Sequence, residues 1–497
     1  MKRLLFIFLF AATTLCNAQI SRLGKNITYA FELHGETSNG DIAPFWFTSN
    51  KYGVSSTDPH SGYVRAIIKR SIEADSTRKW AIGYGLDMPI ARNHTSNDIH
   101  QLYGEAQYKN LRLTVGAKEL PMEFANSELS SGDMAMSINA RPIPQLRLEM
   151  PDYWDIPGTR GWIGVKGHAA FGWFTDNSWQ KSFTSVDPLP RYTNNSRYHS
   201  KAIYFRIGNE EHFPLTFAGG IRIDCQFGGE AWNLQQRIDA SDNTDLSHVK
   251  LNSGLKSYWE ALTFGGEDPN DGDFKNTSGN QLGSWHGSFN YKGDGWAVRG
   301  YFDHLFDDHS QIFWEYGWKD MTWGIEAQLP KNPIASTLLM ELISTKDQTS
   351  SIYHDATSAL PVQISGRDNY YNHQVYGGWQ HWGMTMGNPL LLSPIYNANH
   401  KIAHYHNRIQ ATHLGIAGDP TADFHYRLLY THLRSWGTYD EPLTDTKYND
   451  FLLAELTVKP SRLKGWSLTA AFGLNSGNLL PKTTGGSITI RKEGIIR

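Results

Sequence analysis

At 497 residues the chain is long enough for two or three soluble domains or for one large barrel, so length alone decides little. A mean hydropathy of −0.47, with no run of about 20 apolar residues, excludes a protein that crosses a membrane with several helices. A net charge of −3 and the absence of a basic stripe give no grounds for a nucleic-acid partner.

Lys2 and Arg3 precede an apolar stretch from Leu4 to Leu15, and Cys16-Asn17-Ala18 then offers short side chains for cleavage. That is the three-part form of a secretory leader, and the stretch is too short to span a hydrocarbon core of about 30 Å as a helix. The expected organisation is a leader over residues 1–18, cleaved near Ala18, followed by one domain over 19–497. A lipoprotein acylated at Cys16 would need small residues just before the cysteine, where Thr14 and Leu15 stand. Loss of Cys16 leaves Cys225 alone in the mature chain, so no disulfide forms within it even in an oxidising compartment.

From Ile27 onward the dominant period is two. Leu111, Leu113, Val115 and Ala117 oppose Arg112, Thr114 and Lys118, and Ile163, Val165, Gly167, Ala169, Phe171 and Trp173 oppose Lys166 and His168. The strongest case is Leu215 to Phe227. There Leu215, Phe217, Gly219, Ile221, Ile223, Cys225 and Phe227 share one face, and Thr216, Ala218, Gly220, Arg222, Asp224 and Gln226 share the other. Met321 to Leu329 and Ser467 to Asn475 repeat the pattern. About 18 to 20 such segments run from Ile27 to Asn475. Soluble strands average about 5–6 residues, whereas several here reach ten or more, and a propeller would repeat itself every 40–50 residues or so, which this sequence does not. A chain whose alternate residues face lipid keeps a soluble-looking hydropathy, and its 13% aromatics suit girdles at the two interfaces. The expected fold is all-β: a transmembrane antiparallel β-barrel of about 18 strands, with long extracellular loops and minor helical insertions.

Loop lengths give orientation, because bacterial barrels alternate short periplasmic turns with long outer loops. Lys292-Gly293-Asp294-Gly295 reads as a tight periplasmic hairpin, which places 174–200, 228–283 and 305–311 outside. Beyond Pro330 the alternation is expected to break, with a short connection and then a long one (346–373) on the wrong sides, calling for an unrecognised strand or a periplasmic insertion. Within 228–283, Leu246, Val249, Leu255, Tyr258 and Leu262 stand at near-helical spacing. They predict a short amphipathic helix, folded over or into the barrel mouth or covering a small core of the loop itself.

Few constellations point to catalysis. His404-Tyr405-His406 would put two imidazoles on one strand face, near His400 and His413, but no third and fourth ligand can be named. In Asp268-Pro269-Asn270-Asp271-Gly272-Asp273 the glycine falls at position 5 rather than 6, so the register of a calcium loop fails. Glu119, Glu149, Asp152 and Asp155 could serve a glycosidase only if two of them converged. No nucleophile elbow, phosphate loop or zinc-protease motif is present. Residues 367–382 differ in interleaving aromatic and planar polar groups. Sugars present apolar ring faces edged by hydroxyls, so Arg367, Asn369, Tyr370, Tyr371, His373, Trp379, His381 and Trp382 are the candidate glycan-binding residues. The competing reading for single aromatics is an interfacial girdle.

The same region carries a family resemblance. Asp368-Asn369-Tyr370-Tyr371-Asn372-His373, then Gly377-Gly378-Trp379-Gln380-His381-Trp382-Gly383 and Met386-Gly387-Asn388-Pro389-Leu390, resembles the Wzi-type capsule assembly proteins in their Bacteroidetes form. Asn407-Arg408-Ile409-Gln410, His413-Leu414-Gly415-Ile416 and Gly437-Thr438-Tyr439 are similar as well. So are Arg141-Pro142-Ile143-Pro144-Gln145, Pro151-Asp152-Tyr153-Trp154 and Gly161-Trp162. The resemblance implies an outer-membrane barrel that binds capsular polysaccharide and helps anchor it at the cell surface, lectin-like, without catalysis, metal or cofactor. It assigns no individual glycan contact. Many such chains end in an aromatic residue. This one ends Gly494-Ile495-Ile496-Arg497, which predicts another assembly signal or a final strand placed earlier, at Ser487 to Arg491.

The functional expectation is therefore a non-enzymatic, polysaccharide-binding protein of the outer membrane that assists capsule assembly and attachment, with capsular polysaccharide and outer-membrane lipid as partners. The alternatives are a porin-like channel or transporter and a secreted carbohydrate-active enzyme.

Overall fold

The computed structural model describes residues 23–75, 79–92, 99–234, 247–265, 279–307, 312, 319–352, 354, 358–362 and 366–496. The predicted leader, its cleavage position, Leu246 and the 268–273 loop lie outside them. Eighteen antiparallel strands, from Ile27–Ser38 to Thr483–Ile496, hydrogen-bond in chain order into a single sheet. Pairing from Ile27↔Ile496 to Ser38↔Gly485 joins the last strand to the first and closes a barrel. Closure leaves no edge of unpaired backbone groups, the condition for a sheet to sit in lipid. Among the described residues no helix is long and apolar enough to cross a membrane.

Side-chain alternation fixes which face is which. In Leu215–Phe227 the polar row points inward: the Arg222 guanidinium meets Asp224 at 2.6 Å, and the Tyr198 hydroxyl donates to the same carboxylate at 2.6 Å. In Thr337–Ser344, Leu338, Met340 and Leu342 are exposed outside, while Leu339, Glu341 and Ile343 are buried inside. Rows of exposed Leu, Ile, Phe and Trp around the outer wall are what a lipid-facing band requires. The predicted strands are present as Leu111–Ala117, Ile163–Trp173, Leu215–Phe227, Met321–Gln328 and Trp466–Gly477. The last strand is Thr483–Ile496, so it extends well past the Ser487 to Arg491 placement.

Connections alternate strictly between the two ends. One end carries 71–79, 109–110, 156–162, 208–214, 293–296, 329–336, 422–423 and 459–465. The other carries the longest connections, 39–59, 118–144, 174–196, 228–279 and 345–408, with the loops between them. The expected break beyond Pro330 is therefore wrong. Residues 329–336 turn on the short side and 345–408 return on the long side, with no further barrel strand among the described residues.

The long connections also fill the barrel. Phe45, Trp46 and Phe47 from 39–59, Leu129 and Met134 from 118–144, and Tyr370, Tyr371, Trp379, Leu390 and Leu391 from 345–408 form one buried core. Leu282, Leu305, Leu339, Ile343, Leu429, Leu433 and Phe451 of the wall join it. Polar ties secure the plug: Ser130 Oγ and Ser131 N donate to Glu341 at 2.6 and 2.8 Å, and Met134 N donates to Asp303 at 2.6 Å. One close approach of plug to wall falls at a glycine. A Cβ on Gly415 would stand 2.9 Å from the Leu129 Cβ.

The helical reading within 228–283 is corrected. His248–Leu251 is a strand paired with Gly229–Trp232, and the helix covers only Leu255–Thr263. It lies neither in the mouth nor on a loop core. Tyr258 packs on Phe171 and Phe227, side chains of the outward-facing rows, so the helix rests against the outside of the wall.

Candidate functional site

The eight predicted residues all belong to the 345–408 connection, and the structure divides them. Tyr370, Tyr371, Trp379 and His381 are wholly buried, Trp382 and His373 nearly so. Their polar atoms are committed to the plug. Trp379 Nε1 donates to the Ala135 carbonyl at 2.8 Å, and the Tyr371 hydroxyl donates to the Met134 carbonyl while accepting from Asn388 N at 3.0 Å. His381 Nδ1 bonds the Arg141 carbonyl at 2.9 Å, leaving Nε2 to accept from Thr175 N at 3.2 Å. Trp382 Nε1 donates to Thr175 Oγ1 at 3.1 Å, and its ring carries the Arg141 guanidinium 4.9 Å from its centroid. Val375 N donates to His373 Nδ1 at 3.1 Å. Burial, with the charge of Arg191 adding to it, holds the His373 imidazole down to about 3. Arg367, Tyr371 and Trp382 have left-handed backbone at φ of 60°, 68° and 56°. Such conformations cost of order 1–3 kcal/mol each for ordinary residues, and the dense bonding around them holds them in place.

Arg367 and Asn369 reach the surface, where they meet residues that motif reading had not selected. The Asn369 amide donates to Asp440 at 3.2 Å, and Arg367 faces the same carboxylate at 3.5 Å. Asn369 Oδ1 accepts from Asn372 at 2.8 Å and from Asn407 at 2.6 Å, which fixes its amide plane. The Tyr439 ring has the Arg408 guanidinium 3.7 Å from its centroid and Arg367 at 5.8 Å, and its hydroxyl donates to the Asp347 carbonyl at 3.0 Å. Arg408 Nε donates to the Lys346 carbonyl at 3.0 Å, and Lys346 Nζ lies 4.3 Å from the Trp436 ring centroid. Aromatic rings, guanidinium groups, an amide and a carboxylate thus share one platform, held from below by the buried aromatics. In the sequence, Arg408 and Tyr439 stood out only through the family resemblance, because a strand-end hairpin and a distant loop give no common periodic signal.

The other candidate groups do not converge. His404 lies in irregular chain rather than on a strand, with Nε2 bonded to Thr385 Oγ1 at 2.9 Å, and burial depresses it to about 3. His406 bonds Ser435 Oγ at 3.1 Å, His413 bonds Thr431 and the Leu129 carbonyl, and His400 is exposed. Glu119 is held by Arg65 and His100, Glu149 by Arg147, and Asp155 by Arg206, while Asp152 is exposed on its strand. The four carboxylates therefore form no facing pair.

No protein-family model matches the sequence, nor does any curated protein. Solved structures do. Wzi of Escherichia coli, an outer-membrane protein involved in group 1 capsule assembly and a carbohydrate-binding β-barrel, is similar at a TM-score of 0.54 and 12% identity, over 96% of this chain and 86% of Wzi. OccK5 (OpdH) and OpdL of Pseudomonas aeruginosa score 0.45 and 0.47, at 9% and 8% identity, over 95% and 96% of this chain and 99% and 100% of theirs. At such identities the likeness to Wzi is one of fold: a closed 18-stranded barrel of the outer-membrane type.

Proposed function

We propose that the protein is a non-enzymatic member of the Wzi-type capsule assembly proteins, which binds capsular polysaccharide at the cell surface and helps attach it there. The observation that carries this reading is the platform of Arg367, Asn369, Arg408, Tyr439 and Asp440 on the long-loop end of a barrel whose lumen its own connections fill. Planar donors and an acceptor around aromatic rings suit a sugar's hydroxyl-edged face. The buried members of the predicted set, from Tyr370 to Trp382, keep that surface rigid. A polymer repeats its epitope, so weak individual contacts multiply into retention. The plugged lumen disfavours the porin-like alternative, and the scattered carboxylates disfavour the enzyme. The organism lacking this gene should shed capsule into the medium while making the same total amount. A deletion strain that keeps its capsule fully attached would overturn the reading.

A further inference from the structure

The helix Leu255–Thr263 poses a question that polysaccharide binding does not answer. Its inner side covers outward-facing wall residues: Cys225, Phe227 and Ala261 pack together with Phe171 and Tyr258, and Phe264 just beyond the helix meets Phe306 edge-on at 6.4 Å. Its outer side carries Leu255, Trp259 and Leu262, spaced i, i+4, i+7, with Leu255 90% and Trp259 64% exposed. Such a stripe is one continuous face of a helix. Alongside it Lys256 and Glu260 pair at 3.3 Å on the polar flank.

Strand register sets the height of this helix on the wall. Ile163, Ile207 and Phe217 form one outward row near the short-turn end. Ile203 and Phe205 above them are exposed and apolar. A tilted strand crosses the hydrocarbon band in about 9–11 residues, so a span that begins at Ile207 runs past Lys201 and ends between His199 and Arg197. The outward residues there include His199 and Lys201, polar groups unsuited to acyl chains. The helix covers both. His199 is wholly buried against Phe171, and Lys201 Nζ donates to the Ala261 carbonyl at 2.7 Å, at the negative end of the helix. Trp173, in the same row as Arg197 and Phe227, remains exposed beside it.

We infer that this helix lies in the outer leaflet as an external patch on the barrel wall. Its Leu255–Trp259–Leu262 stripe contacts acyl chains in place of the polar wall it hides. The apolar stripe continues the lipid band of Ile203 and Phe205 upward, the Lys256–Glu260 flank sits at the headgroup level, and the Trp259 ring lies where acyl chains meet headgroups, as in interfacial helices generally.

The test uses the purified full chain in phosphatidylcholine vesicles, with spin labels at Leu255→Cys and Leu262→Cys in a Cys225→Ala background. Ile203→Cys and Asp440→Cys serve as the lipid and water references. Both helix labels should collide with oxygen as the Ile203→Cys label does, and at least fivefold less than the Asp440→Cys label with a water-soluble nickel chelate. Chelate access equal to that at Asp440→Cys would overturn the inference. So would protection from both quenchers, which would mean that a second copy or another protein covers the stripe. If a label disturbs folding, the wild-type minus Trp259→Phe fluorescence difference decides: vesicles of lipids brominated near the headgroup should quench it at least twofold, and no quenching would contradict the placement.

Discussion

Glu341 is the point at which the plug is tied to the wall, and its replacement gives a quantitative test of the filled barrel. Its carboxyl accepts from Ser130 Oγ at 2.6 Å, from Ser131 N at 2.8 Å and from the Tyr301 hydroxyl, with no solvent exposure. Glu341→Ala leaves three buried donors without an acceptor, each worth about 1–3 kcal/mol. The two hydroxyls can rotate toward other acceptors and the backbone N–H cannot, so the net loss should be about 3–5 kcal/mol. At roughly 1.4 kcal/mol per tenfold, segment 118–144 should undock about 100- to 4,000-fold more often. Eighteen paired strands hold the wall independently of this contact, so the barrel itself should remain intact. Amide hydrogen exchange should quicken across 118–144 and leave the strands unchanged, and single-channel recordings should show brief openings that the wild type lacks. Glu341→Gln, which keeps an acceptor, should show a smaller effect. Unchanged protection of 118–144 in Glu341→Ala would refute the reasoning.

Three further outcomes follow from the same packing. His373 and His404 are held neutral at about 3, by burial in both cases, against an unfolded value of about 6.5. Their contribution is thus complete above pH 6.5 and is lost as pH falls from there toward 3, at about 2 kcal/mol per group by pH 5. Thermal melting of the plug should accordingly weaken between pH 7 and pH 5, less steeply in His404→Gln, and equal slopes would contradict this. Gly415→Val should drive a side chain into Leu129 and expose 118–144 to limited proteolysis while the barrel still inserts; wild-type resistance would show that the plug tolerates the side chain. Trp379→Ala should cost about 3–5 kcal/mol of plug stability through its cavity, read as a lower melting temperature for the 345–408 region, and a shift within error would mean that the core there can collapse.

Much of the wall was legible in the sequence because a barrel strand repeats one physical rule. Leu215 to Phe227 alternates outward-facing and lumen-facing side chains along its whole length, and the structure places those two rows accordingly, with Cys225 and Phe227 of the outward row covered by the helix Leu255–Thr263. The interior was not legible. Leu339, Leu429 and Phe451 point inward although they are apolar, because the connections fold back to meet them, and nothing local in a strand encodes what will fill the space beside it. The parity beyond Pro330 in fact follows loop length, short at 329–336 and long at 345–408, so the mistake lay in placing strands before it, where periodic signals do not fix strand ends. The aromatic-rich 367–382 segment suggested a glycan site or an interfacial girdle. Trp379 and Tyr371 instead bond the carbonyls of Ala135 and Met134, more than 200 residues away, so burial came from a long-range contact that periodicity could not reveal. Arg367 and Asn369 were visible by residue type, but Tyr439, Arg408 and Asp440 needed the fold to bring them alongside.

Equilibrium binding shows whether the outer platform holds polysaccharide. The purified full chain, titrated with capsular polysaccharide from its own organism, should bind. The triple variant Arg367→Ala, Asn369→Ala, Tyr439→Ala should bind at least tenfold more weakly with an unchanged melting temperature, while Trp259→Phe binds as the wild type does. No binding by the wild type, or full binding by the triple variant, would contradict the account.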